Sequence, residues 1–169
     1  MINTKQLVFF AMQQMCTAYA KKSLKRWGKG LKVNYPCFFG NNSYIGDYCH
    51  FNGMSVSGTG YLKIGNHFHS GSDILILTSN HDYQTGNMIP YNYNDIPRHV
   101  EIGNFVWLGS KVIILPGTII GDGCIVQAGS VVHGKINKLS VIGGNPAKVI
   151  KKRDPRSFNE CVKKKKFLY

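Results

Sequence analysis

Acidic side chains are scarce in this chain. Eight Asp and Glu face 21 Lys and Arg, a formal net charge of +13 at pH 7. The imbalance points to an anionic partner: a phosphate-bearing cofactor, a polyanionic acceptor, nucleic acid or an acidic membrane surface. No nucleic-acid-binding motif accompanies the charge, so nucleic acid is not the expected partner. Cysteines at metal or redox spacing are also missing. There are five, an odd number, with no CxxC pair, which argues against a zinc ribbon or a disulfide framework. No run of about 18 apolar residues occurs, so no spanning helix is expected. Leu7 to Met12 is too short, and its basic residues follow it rather than precede it, unlike a secretory leader. The mean hydropathy of −0.15 over 169 residues fits one soluble domain with a usable core, and free thiols suit the cytoplasm.

What is present is a period of six. Ile102, Leu108, Ile114, Ile120, Val126 and Val132 open successive hexads, and Gly103, Gly109 and Gly121 fill second slots. Fifth slots hold Val106, Val112, Thr118, Cys124, Ser130 and Ile136. A helix needs a stripe at period 3.6 and a strand one at period 2; neither alone makes a period of six. Short strands joined by regular bends and stacked as a solenoid do. The same frame runs through Val33, Phe39, Ile45 and Phe51, with Cys37, Ser43, Cys49 and Ser55 in fifth slots. It slips near Ser57–Gly60, resumes at Ile64, Ser70 and Ile76, and breaks after Asn137. Three hexads per triangular coil give four to five coils. Cys37, Cys49 and Cys124 then read as buried thiols.

Three segments stand outside the frame. Residues 1–30 read as an amphipathic helix along Leu7, Phe10, Met15, Ala18 and Leu24, stopped by Gly28 and Gly30. It caps the open end of the solenoid, whose strand edges need cover; a basic helix on an anionic membrane is the sharper alternative. Residues 79–98, rich in Asn, Tyr and Pro, read as a loop expelled from the solenoid, of a length that is commonly functional. Residues 154–169 read as a solvated basic tail ending in Lys163–Lys166. The expected fold is therefore all-β, with the solenoid over residues 31–153.

The strings NHDY, IGNFVWLGSKVIILPGTIIGDGCIVQAGSVV and GGNPAKVIKK resemble those of the hexapeptide-repeat O-acetyltransferases, over about residues 33–153. That family includes galactoside, maltose and xenobiotic acetyltransferases and the enzymes acetylating capsule, lipopolysaccharide and exopolysaccharide. The resemblance implies a left-handed parallel β-helix, acetyl-CoA as donor, a hydroxylated and sugar-like acceptor, and a homotrimer with clefts between subunits. It implies that His81 is the catalytic base, a task suited to an imidazole titrating near neutrality. It places Trp107 and Ser110 along the pantetheine and thioester, with backbone N–H groups near Ser110 facing the oxyanion. Ala128 would let the donor lie against the coil, and Lys148 and Lys151 would meet its phosphates. His50 and Asn52 match a polar segment that touches the acceptor.

Other readings remain at this point. Tyr83, Tyr91 and Tyr93 could stack on a sugar ring. Asp82 could orient His81, although adjacent side chains on an extended segment point apart. His67 and His69 share a strand, but a zinc site needs three converging imidazoles, and no metal is expected. An amine acceptor could use the same base. A non-catalytic basic solenoid binding an anionic partner is the alternative outside catalysis. A cytoplasmic site, with peripheral contact at the inner face of the membrane, fits the basic termini.

Overall fold

The structure, a computed structural model, describes residues 3–85 and 88–168. The hexads form a left-handed parallel β-helix with three faces and about six turns, a coil or two more than the hexads alone suggest. The first face stacks Arg26–Trp27, Ser43–Ile45, Leu62–Ile64, Val100–Ile102, Ile119–Ile120 and Lys135–Ile136 in parallel. Two long strands, Lys32–Phe38 and His50–Ser57, bend from the second face onto the third and join the two into one sheet. The second face continues with His69–Ser70, Trp107–Leu108, Ile125–Val126 and Ser140–Gly144, closed by the antiparallel strand Ala147–Lys152. Ile74–Leu77, Ile113–Ile114 and Val131–Val132 complete the third face.

The hexad openers are the core. Every one from Val33 to Val132 is buried, Ser70 among them. Each large aliphatic one contributes about 1.5–3 kcal/mol of burial. Fifth slots also turn inward, with one exception. Ser55 is exposed and Met54 takes its inward place, because pairing between the two long strands slips at Val33/Tyr35. Cys37, Cys49 and Cys124 are buried free thiols. Desolvation pushes Cys37 and Cys49 up to about 11, which leaves them unreactive at neutral pH.

Glycine in the second slot has a direct steric cause. A Cβ on Gly65 would lie 2.8 Å from the Gly103 carbonyl carbon and the Asn104 backbone nitrogen, and one on Gly46 2.6 Å from the Gly65 carbonyl carbon. Only a residue without a side chain lets adjacent coils approach along that column. One corner further on, Tyr48, His67 and Phe105 adopt left-handed backbones at φ 55, 54 and 57°. Their rings stack into a ladder, with centroids 5.2 and 5.1 Å apart.

The helix α1 (Thr4–Ser23) starts from a capping box on Asn3 and Gln6. It docks by Gln13, Cys16, Thr17 and Ala20, not by the expected stripe: Leu7, Phe10, Met15 and Ala18 are exposed. Polar bonds select this face, since Thr17 Oγ1 accepts from Val33 N at 3.0 Å and Gln13 Nε2 donates to Asn34 Oδ1. The basic tail is also more than a solvated run. Asp154 caps a second helix, α2 (Pro155–Lys163), accepting from the Arg156 and Ser157 N–H groups. Phe158 and Phe167 lay that helix and the chain after it against the aromatic ladder, Phe167 at 4.4 Å from His67 and 5.3 Å from Phe105.

Candidate active site

The loop after Ile74–Leu77 leaves the vertex between the third and first faces as a hairpin. Ser79–His81 pairs antiparallel with Asp95–Pro97, and His81 sits opposite Asp95. Its neck is tied by Arg98 N donating to Thr78 O at 2.7 Å. The pairing brings His81 Nδ1 to 2.9 Å from Asp95 Oδ1. Meeting a carboxylate, Nδ1 carries the ring proton and Nε2 keeps its lone pair. Tyr91 fixes the ring plane by stacking on it, with centroids 4.1 Å apart and planes 6° apart. The side chains of His81 and Asp95 are 56% and 34% exposed, so the imidazole opens to solvent from a defined seat.

Asp82 does a different job. It is buried and accepts from the backbone N–H groups of Thr85 and Gln84, the Thr85 hydroxyl and the Asn92 amide. These bonds, the Thr85 hydroxyl foremost, hold its carboxyl well below the usual carboxylate range. Asp82 organises the loop, and Asp95 orients the His81 imidazole. Asp95 escaped the sequence reading, and Tyr91, expected there to meet a sugar ring, stacks on His81 instead, because strand pairing across a long loop leaves no local pattern. Tyr83 and Tyr93 are exposed at the loop surface.

The other candidates converge on the second face. Its strands place Lys32, His50, His69, Trp107, Ile125, Val141 and Lys151 in one register row. Neighbouring members are about 4.8 Å apart, so Trp107 lies about three strand steps from Lys151. Lys148 pairs with Gly143 in the same closing strand. Trp107 is 54% exposed and faces outward, while Ser110 and Ala128 sit at the adjoining corner. There Ser110 Oγ accepts from Ser72 N at 3.1 Å, and a Cβ on Gly109 would meet Ala128 N at 2.5 Å. Small residues keep that corner low beside the indole.

At the near end of the row, His50 and His69 meet edge to face at 5.1 Å. Burial, helped by His69 and Lys32, lowers the His50 imidazole to about 4, and burial lowers His69 as well. His50 Nε2 is buried with no hydrogen-bond partner among the described residues. Asn52 is engaged internally, donating to Ser70 O at 2.6 Å and accepting from Asn34 at 2.7 Å. That chain of amides runs on to Gln13 and ties α1 to the coils. His67 belongs to the aromatic ladder. Among the described residues no cluster of three potential ligands is found.

Over the middle of the row, from His69 to Ile125, α2 and the segment after it form the second wall of a cleft of about 450 Å³. Trp107, Ile125, Phe158 and Phe167 give it apolar sides, with Arg153 and Lys166 on its border. An elongated apolar ligand with an anionic end suits this lining. The Asp154–Pro155 pair, an N-cap followed by proline, was the available signal for this wall.

Within one chain, His81 and the row are apart. The hairpin leaves the vertex opposite the second face. His81 lies three residues past Thr78, a reach of about 11 Å at full extension.

Residues 99–134 match the bacterial transferase hexapeptide pattern of six repeats. The protein WbbJ of Escherichia coli (strain K12), which carries the name of a lipopolysaccharide biosynthesis O-acetyl transferase, is 37% identical over 136 residues, covering 76% of this chain. This chain spans 64% of WbbJ, a little under two thirds of its length. A galactoside acetyltransferase solved with coenzyme A superposes with a TM-score of 0.72 at 27% identity, over 83% of this chain and 71% of that one. A hexapeptide-repeat acetyltransferase of Vibrio cholerae, VCA0836, solved with acetyl-CoA, shares the fold: TM-score 0.70, 22% identity, 90% of this chain and 91% of that one.

Proposed function

We propose, from the premise that this chain is a member of the hexapeptide-repeat family, that it transfers acetyl from acetyl-CoA to a hydroxyl of a sugar or surface-polysaccharide precursor. The single observation that carries the reading is the His81–Asp95 pair at 2.9 Å, with Tyr91 on the ring face. It makes Nε2 a base of fixed direction at the rim of a loop.

His81 takes the acceptor's proton at Nε2 as the oxygen attacks the thioester carbonyl. Backbone N–H groups near Ser110 hold the oxyanion. The C–S bond then breaks, and the proton on Nε2 passes to the departing thiolate. Asp95 stabilises the imidazolium between these steps. The donor lies along the second-face row: pantetheine against Trp107, passing the low corner at Ala128, with the phosphates near Lys148 and Lys151. The acceptor occupies the His50 end, beside Tyr83 of the loop.

Because His81 and the row stand on opposite sides of one prism, the complete site takes His81 from one chain and the row from a neighbour in a homotrimer. We assign the reaction to the cytoplasm, because acetyl-CoA and reduced thiols are found there. The test is release of thiol from acetyl-CoA across a panel of sugars, amino sugars included. His81→Ala is expected to lower kcat by about 10²–10⁴ while donor binding stays intact. Release that depends on a sugar hydroxyl and survives unchanged in His81→Ala overturns the reading.

A further inference from the structure

The free surface of α1 is not what a solvent-facing helix ordinarily shows. Its docked side uses small and polar residues, Gln13, Cys16, Thr17 and Ala20. The opposite side carries Val8, Met12, Met15 and Tyr19, spaced i, i+4, i+7 and i+11, one stripe of a helix. Val8, Met15 and Tyr19 are 63%, 73% and 54% exposed, Met12 is half-buried, and Leu7 and Phe10 are exposed in the turns that precede the docked ones. The first two turns, Thr4 to Ala11, touch nothing that buries them. A contiguous apolar surface of this kind marks a docking site.

The charge around it names the occupant. Residues 1–46 contain seven Lys and Arg and no Asp or Glu. Lys22, Lys25, Arg26 and Lys29 are exposed at the root of the helix. Beside them is Trp27, 42% exposed, with Lys21 Nζ 5.9 Å from its ring centroid. Tyr35 and Phe38 add further exposed rings, Phe38 edge-on to Tyr19 at 6.2 Å. Apolar residues to insert, Trp and Tyr at the polar boundary and a basic fringe are the components of a helix lying in an anionic bilayer surface. A second copy of the same end would bring two such basic segments together without a carboxylate among residues 1–46 to pair them. Among the described residues no helix is long and apolar enough to cross a membrane, so the contact is with the surface.

We infer that α1 and the basic segment after it dock the chain, through the side facing away from the solenoid, on a membrane rich in anionic lipid. The arrangement is independent of the acetyl-transfer reading, since none of these residues belongs to the site. It would hold the open end of the prism against the bilayer.

The experiment is co-sedimentation of the full chain with vesicles of phosphatidylglycerol and phosphatidylcholine in equal parts, and with phosphatidylcholine alone. Binding to the mixed vesicles, absent with phosphatidylcholine and weakened by salt, is the expected result. Val8→Gln/Met15→Gln/Tyr19→Gln should lose at least about tenfold in affinity. Lys21→Gln/Lys22→Gln/Lys25→Gln should lose on the order of a hundredfold. Both variants alter side chains outside the core, and an unchanged melting curve verifies the fold. Equal binding to both vesicle types, no binding to either, or variants that bind like the parent would overturn the inference. A change of oligomeric mass in the apolar variant without vesicles would also overturn it, making the stripe a subunit interface.

Discussion

Replacing Asp95 by Asn removes one charge and little volume, and so isolates what the carboxylate does for His81. In the folded ground state the pair is worth little. With side chains 56% and 34% exposed, a neutral imidazole beside a carboxylate contributes about 0–1 kcal/mol to stability. With His81 as the proposed base, the ring gains a full charge in the transition state. Two unit charges about 4 Å apart attract by about 1 kcal/mol in bulk water and about 4 kcal/mol near a protein surface. At the exposure seen here the value falls between these limits, and each 1.36 kcal/mol is about tenfold in rate. Asp95→Asn should therefore reduce kcat by about 10- to 100-fold, leave KM for acetyl-CoA near the parent value and shift Tm by no more than a few degrees. Tyr91 retains the ring's orientation, which keeps the loss below that of His81→Ala. Steady-state thiol release at saturating donor, with a melting curve, checks this. Parent-like kcat, or a loss explained by unfolding, would refute Asp95 as the orienting group.

Three further outcomes follow from the coils and the row. Gly65→Ala places a Cβ 2.8 Å from the Gly103 carbonyl carbon, and should cost about 1–3 kcal/mol in a urea titration. His50 stays neutral in the fold down to about 4 against an ordinary 6.5. Its contribution is thus full above pH 6.5 and is lost as pH falls toward 4. Tm measured across that window should fall less steeply in His50→Gln, and identical slopes would discount His50. Among the described thiols Cys161 is exposed and lines the Trp107 cleft, whereas Cys37, Cys49 and Cys124 are buried. Brief maleimide treatment followed by peptide mass spectrometry should label Cys161, and coenzyme A should protect it.

The sequence speaks most clearly where structure repeats. A residue facing the prism axis must be small enough or apolar enough in every coil, so the positions from Val33 to Val132 announce themselves by spacing alone. Ser55 shows the limit. A slip between two long strands exchanges it with Met54, and no residue type records a slip. His81 was legible through the NHDY string, yet its partner was not. Asp95 reaches it only because the hairpin pairs Ser79–His81 with Asp95–Pro97, a fact of the fold. The docked side of α1 was hidden because polar bonds to Thr17 and Gln13 outweighed the apolar stripe. In the tail, repeated lysines masked Phe158 and Phe167, the two residues that turn it into a wall.

Co-expressing His81→Ala and Trp107→Ala chains, each inactive by itself, and assaying the purified hybrids tests the central claim most directly. If the base and the donor row come from neighbouring chains, one of the three sites in each mixed trimer combines an intact His81 with an intact Trp107, and activity of about a third of the parent's returns. If hybrids that demonstrably contain both chains stay as inactive as the single variants, the base and the row act within one chain, and the site described here is wrong.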